Sequence, residues 1–218
     1  MSGPGPESSP PPDNRPPAPP GPSGPPPASA WMNQLTSTAP VAGPAGLYYA
    51  DVPNRIIAYI IDAIIVGIIN GVVGVVLPSV ISPNLNATNL GDLFVINWVG
   101  LIAHGVVSLA ISGAYFIYMW TRMRYTVGMM LLGMQVGNET DGKTLTINQA
   151  GIRWALLYAP AGLSFSILAA PALGGLLVLA AFIWQIALLV TTAQSPTKQG
   201  LHDRYAHTIM VKAARSVA

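Results

Sequence analysis

Residues 56–77 read IIAYIIDAIIVGIINGVVGVVL, a run of 22 residues with one formal charge, at Asp62. At a rise of 1.5 Å per residue, such a helix is about 33 Å long, enough to cross a hydrocarbon core of roughly 30 Å. A soluble helix would alternate apolar and charged faces. This one is apolar all round, so its solvent is lipid.

The same logic extends down the chain. Asn97 to Trp120 carries no formal charge and forms a second span. Residues 154–190 are also uncharged, but there are 37 of them. One helix of that length would run about 55 Å, far beyond the core. Pro171, between Ala169-Ala170 and Gly174-Gly175, offers the turn. The expected helices are therefore about 55–77, 97–120, 151–168 and 172–192.

Basic residues order these spans, because Lys and Arg are retained on the cytoplasmic side. The 78–96 loop has Asp92 and no Lys or Arg, whereas 121–153 holds Arg122, Arg124, Lys143 and Arg153. The C-terminal segment holds Lys198, Arg204, Lys212 and Arg215. Two inside segments require an even number of crossings between them, hence two helices within 154–192. Arg55 places the N-terminus inside as well. The fold class expected is an all-α membrane protein: a four-helix transmembrane bundle with both termini cytoplasmic, a small β-containing cytoplasmic cap and a disordered tail. Three spans with a kinked third helix would instead put the C-terminal basic residues outside.

Composition agrees. Of 218 residues, 51% are hydrophobic and 8% charged, against roughly 25% charged in a soluble domain. The absence of cysteine excludes disulfides, Cys-based zinc sites and thiol chemistry. A net charge of +2, scattered, does not suit a nucleic-acid binder. Fifteen of the 21 prolines fall in the first 44 residues. Proline supports neither a helix interior nor a sheet, so residues 1–46 read as a disordered cytoplasmic tail of polyproline II character. With no basic n-region before an apolar stretch, the tail does not read as a secretory signal. It is either a solvated tether or a ligand for a Pro-binding protein, and Trp31 is its one large apolar residue.

Asp62 is the residue that demands an account. A carboxylate at membrane depth costs about 2.5–3.5 kcal/mol on insertion scales. Arg55 lies two turns earlier on the same face, about 10 Å away along the axis. Gly67, Gly71 and Gly74 mark the other side, and Gly67/Gly71 is a GxxxG pair that favours close helix packing. Gln185, Arg153, Tyr115 and Ser112 fall at similar depth and are the expected partners. Asp62, Arg55, Arg153 and Gln185 are thus candidates for an ion or proton site. The competing reading makes Asp62 a clamp between helices. His104 lies in the outer half, too far for a direct relay, and Gln185 and Asn70 are expected to pair across helices.

The cytoplasmic segments carry a second pattern. Leu131–Val136 is short, apolar and bounded by glycine; His207–Lys212 alternates and is β-branched. Neither satisfies its backbone alone, so the two are expected to pair as a small sheet. Other motifs fail. Gly128 to Gly133 has P-loop spacing, but Met134 stands where lysine is required. His202, Asp203 and His207 lack a fixed face for a metal, and no cofactor is implied. Asn86-Ala87-Thr88 is a glycosylation sequon in the outer loop. No Ser–His–acid set is placed for nucleophilic chemistry, and no enzymatic activity is expected.

Asn54-Arg55-Ile56-Ile57-Ala58-Tyr59-Ile60-Ile61-Asp62 resembles the first-helix signature of the RDD family of membrane proteins, named for one arginine and two aspartates. Thr126-Val127-Gly128 with Gly133 and Val136 looks like its glycine-containing cytoplasmic segment. Arg153 matches the arginine that opens the next helix. Leu201-His202-Asp203-Arg204 with Thr208 looks like its C-terminal segment. The resemblance covers about residues 47–213 and makes Arg55, Asp62 and Asp203 the family-motif residues. It departs at Val127 and Met129, where many members carry Pro and Lys. The Pro-rich tail looks like those of actinobacterial membrane proteins. Some family members are linked to transport, including sodium/proton exchange, although the family's general function is unknown. The resemblance therefore implies a multi-pass protein of the bacterial inner membrane, transporting or assisting transport of a small cation through Asp62. So few helices enclose little volume, so a transporter would need to form a homodimer. The alternative is a non-catalytic adaptor that holds a partner through tail and cap.

Overall fold

The structure is a computed structural model that describes residues 35–77, 98–166 and 171–212. Trp31, the sequon at 86–88 and most of the Pro-rich run lie outside the described residues. In chain order the elements are β1 (Val41–Ala42), a 3-10 turn (Pro44–Gly46), β2 (Tyr48–Tyr49), α1 (Val52–Val76), α2 (Trp98–Arg122) and α3 (Val127–Leu131). There follow β3 (Met134–Asn138), α4 (Ile147–Leu157), α5 (Ala159–Ser166), α6 (Pro171–Gln194), α7 (Leu201–Tyr205) and β4 (Thr208–Lys212).

Helix α1 starts where its sequence says it should. The Asp51 carboxylate accepts from the Asn54 amide at 3.0 Å, and Pro53 sits in the first turn, where an amide donor is not needed. The helix then turns its isoleucines outward: Ile57, Ile60, Ile64 and Ile68 are all exposed. Its buried residues are Val52, Arg55, Ala58 and Asp62, half of them charged. A surface that is oily outside and polar inside suits a lipid solvent. By length and composition, three helices are able to cross a membrane: α1, α2 and residues Leu173–Gln194 of α6.

The expected third span, 151–168, is not one helix. It is α4 and α5, separated at Tyr158. Pro160 explains the break, since it has no amide to offer the carbonyl four residues back and its ring crowds that turn. That carbonyl belongs to Leu156, and the Trp184 indole of α6 donates to it at 2.7 Å. The next carbonyl, of Leu157, accepts from the Gln185 side chain at 2.7 Å. Two polar side chains on α6 thus satisfy the acceptors that the break leaves open, as an apolar setting requires. Tyr158 turns into the core. Its ring stacks on Phe116 with centroids 3.6 Å apart, and on Tyr59 at 4.9 Å.

The sheet pairs as expected but is larger. Strands β3 and β4 are antiparallel, with Val136 opposite Met210 and Gly137 opposite Ile209. The order is β1-β2-β4-β3, so the last strand is an inner one. β1 and the 3-10 turn fall within the 1–46 stretch read as tail. The Ala50 amide donates to the Met210 carbonyl at 2.9 Å, which ties the start of α1 to β4. The chain leaves this cap through α4 and α5 and returns to it through α6.

Two packing expectations do not hold. A Cβ placed on Gly67, Gly71 or Gly74 would meet nothing within 4 Å, so the GxxxG face packs closely against no described residue. Asn70 donates to Val66 of its own helix at 2.9 Å instead of crossing to another.

The Trp184 bond generates a double-mutant test. Trp184→Phe should lower unfolding stability by about 1 kcal/mol, a typical net value for one hydrogen bond. In a Pro160→Ala background the loss should shrink, because the alanine brings its own amide to the Leu156 carbonyl. Reversible unfolding in detergent measures both.

Candidate functional site

Two buried carboxylates organise the end of the bundle that carries the sheet. The first is Asp62 of α1, 1% exposed. Its Oδ1 accepts from the Tyr115 hydroxyl of α2 at 2.9 Å and from the Gly128 amide at 2.9 Å. Its Oδ2 accepts from the Thr126 hydroxyl at 2.5 Å. Thr126 also caps α3, accepting from the Met129 amide at 3.3 Å. The carboxylate therefore sits against the N-terminal turn of α3, where free amides and the helix dipole favour negative charge. Glycine is required at 128: a Cβ there would lie 2.3 Å from the Ala58 carbonyl oxygen. Only without that atom does the Gly128 backbone come close enough to donate to Asp62.

The second carboxylate is Asp203 of α7, fully buried. Arg55 of α1 donates to its Oδ2 at 2.7 Å. Arg153 of α4 donates to its Oδ1 and, at 2.8 Å, to the Thr208 hydroxyl of β4. The Gly200 amide and the Thr208 hydroxyl complete the shell at 3.3 and 3.1 Å. Arg55 uses its Nε to reach the Ala50 carbonyl at 3.0 Å. The Arg153 guanidinium also lies over the Trp120 ring, 5.1 Å from its centroid. Here α1, α4, α7 and β4 meet on one anion.

His202 borders this cluster, its Nε2 3.4 Å from Asp203 Oδ2. Burial, and then the charges of Arg153 and Arg55, push the imidazole well below its ordinary value of 6.5. It is therefore neutral at neutral pH. Gly200 makes room for it, since a Cβ at 200 would lie 2.3 Å from the Thr192 hydroxyl and 2.8 Å from the His202 ring.

A cavity of about 280 Å³ runs beside both carboxylates, bordered by Arg55, Asp62, Trp120, Arg153, Gln185 and His202 among others. A second, of about 320 Å³, is bordered by Asn70, His104, Ser108 and Ser112.

Of the partners expected for Asp62, the structure supplies Tyr115. Arg55 and Arg153 pair with Asp203 instead, Gln185 with the Leu157 carbonyl, and Ser112 accepts from the Trp154 indole at 3.2 Å. Thr126, Gly128, Thr208 and His202 complete the two sites and are not singled out as ligands by spacing. A capping threonine two residues before glycine is the signal that points to the first pair. Among the described residues, no group of three His, Asp or Glu side chains is placed to hold a metal ion. His207 instead faces Glu139, at 3.5 Å.

Long apolar helices joined around a buried Arg–Asp–Arg cluster, with a small sheet at one end, define an integral membrane protein. The RDD family's sequence profile matches residues 49–207, and the chain belongs to that family. The family's arginine and two aspartates fall on Arg55, Asp62 and Asp203, the residues on which both sites are built. No curated protein and no solved structure matches the chain significantly.

Asp203→Ala would leave two guanidinium groups buried without a counter-charge. The expected loss is about 3–5 kcal/mol of unfolding stability, read by denaturant titration in detergent. His202 gives a pH test. Above pH 6.5 it is neutral whether the chain is folded or not, and its contribution is constant. Below that, the unfolded chain binds a proton that the folded chain refuses, so stability falls as pH falls, by up to ~1.36 kcal/mol per unit. His202→Gln should remove this contribution to the slope, measured as melting temperature from pH 7 down to pH 5.

Proposed function

We propose that the protein is a non-catalytic adaptor of the bacterial inner membrane. The helices anchor it, and the cap and Pro-rich tail face the cytoplasm, where they hold a partner. The observation that carries this reading is the state of Asp62. It is buried and takes three hydrogen bonds from the chain itself, so its charge is already spent in holding α3 to α1 and α2. An ion would have to displace those donors. The distribution of Lys and Arg supports cytoplasmic placement of cap and termini.

A second reading, transport of a small cation or proton through Asp62, is favoured by one observation. The Asp62 side chain borders the cavity of about 280 Å³ together with Gln185. In that case two copies would assemble to enclose a path.

Proteoliposomes separate the two. For the adaptor, vesicles carrying the full chain dissipate a sodium or proton gradient no faster than empty vesicles, and Asp62→Asn changes nothing in flux. The tail should be what matters: removing residues 1–34 should abolish capture of the cytoplasmic partner while leaving membrane insertion intact. Flux that Asp62→Asn abolishes establishes transport in its place.

A further inference from the structure

The cavity beside Arg55 is chemically divided. At the end near the sheet, Arg55 Nη2, Arg153 Nε and Nη2 and Trp120 Nε1 are buried donors with no hydrogen-bond partner. His202 Nδ1 is likewise unpartnered. Since the His202 Nε2 faces Asp203, its Nδ1 is left as an acceptor. The local charge is +1: two arginines against Asp203, with the imidazole neutral. Asp62 is the other charge on the cavity, but it lies about 10 Å further along α1 and is held by its own donors.

The rest of the wall is apolar. Ile56 and Tyr59 of α1 face Leu189 and Phe182 of α6 across it. Phe182 is 62% exposed on the outer surface of α6 while also bordering the cavity, so the mouth opens sideways toward lipid. Arg55 lies three residues into α1, about 5 Å from its start. That is the depth of a phospholipid headgroup, not of the bilayer centre.

We infer that this cavity is a binding site for an anionic phospholipid from the leaflet on the sheet side. The phosphate meets the free edge of Arg55 beside Arg153 and the Trp120 indole. A headgroup hydroxyl donates to His202 Nδ1. One acyl chain lies between α1 and α6 against Phe182 and Leu189. Planar guanidinium donors match phosphate oxygens, and a pair of charges in a dry site holds them more tightly than a surface patch would. The occupant goes beyond the adaptor reading and is independent of it.

The test uses the purified full chain in neutral detergent, with melting temperature and native mass spectrometry as readouts. The probes are short-chain phosphatidylglycerol, short-chain phosphatidylcholine and inorganic phosphate. Phosphatidylglycerol should bind saturably and at least tenfold more tightly than phosphatidylcholine, and phosphate alone should give no protection at equal concentration. Leu189→Trp, which fills the acyl end without touching the cluster, should weaken phosphatidylglycerol at least tenfold. Trp120→Phe, which removes a single donor, should weaken it severalfold and leave phosphatidylcholine unchanged, even if Leu189→Trp disturbs packing. Equal binding of the two lipids, protection by phosphate alone, or unaltered phosphatidylglycerol binding in both variants overturns the assignment.

Discussion

The ion cluster on Asp203 is the constraint around which the rest is arranged. Arg55 arrives from α1, Arg153 from α4, Asp203 from α7 and Thr208 from β4. A charge this deeply buried is tolerable only when paired and hydrogen-bonded, so each partner fixes the position of the others. The Ala50 carbonyl under Arg55 Nε and the Ala50 amide on Met210 extend that fixing to the sheet. Asp62 has a matching role deeper in the bundle, where it anchors the short helix α3. The two carboxylates divide the labour: one joins the ends of the chain, the other holds the middle loop.

Much of this was legible in the sequence, and the reasons differ by element. Runs such as 56–77 announce themselves because lipid permits no charge, and α1, α2 and α6 fall close to their expected limits. The pairing of β3 with β4 followed from a different logic, that an apolar strand must find a partner for its backbone. Asp62 and Arg55 stood out because charge at membrane depth is costly. What spacing could not reveal is which charges meet. Arg153 and Asp62 fall at similar depth, yet Arg153 bonds to a residue fifty positions later in the chain. Depth along a helix constrains one coordinate; the choice of partner depends on rotation and on loops that fold back, as residues 126–128 do.

The split of the third expected span shows a similar limit. Pro160 was visible, but Pro171 with its neighbouring glycines looked the better turn. Both shape the chain, for distinct purposes. Pro171 begins α6, a position where proline is at ease, whereas Pro160 interrupts a helix and exposes two carbonyls. Trp184 and Gln185 look like stray polar atoms on an apolar helix until those carbonyls are counted. The two-residue strands β1 and β2 are too short to show any period at all.

The inner position of β4 has a consequence for biogenesis. The chain is made from its N-terminus, so α1 and α4 enter the bilayer before Asp203 has been synthesised. Until the final segment emerges from the ribosome, Arg55 and Arg153 have no counter-ion and β2 and β3 have no strand between them. Completion of the polypeptide is thus the event that neutralises the buried charge and closes the sheet. A nascent chain stalled a few residues short would carry two uncompensated guanidinium groups, a defect that membrane quality control could recognise.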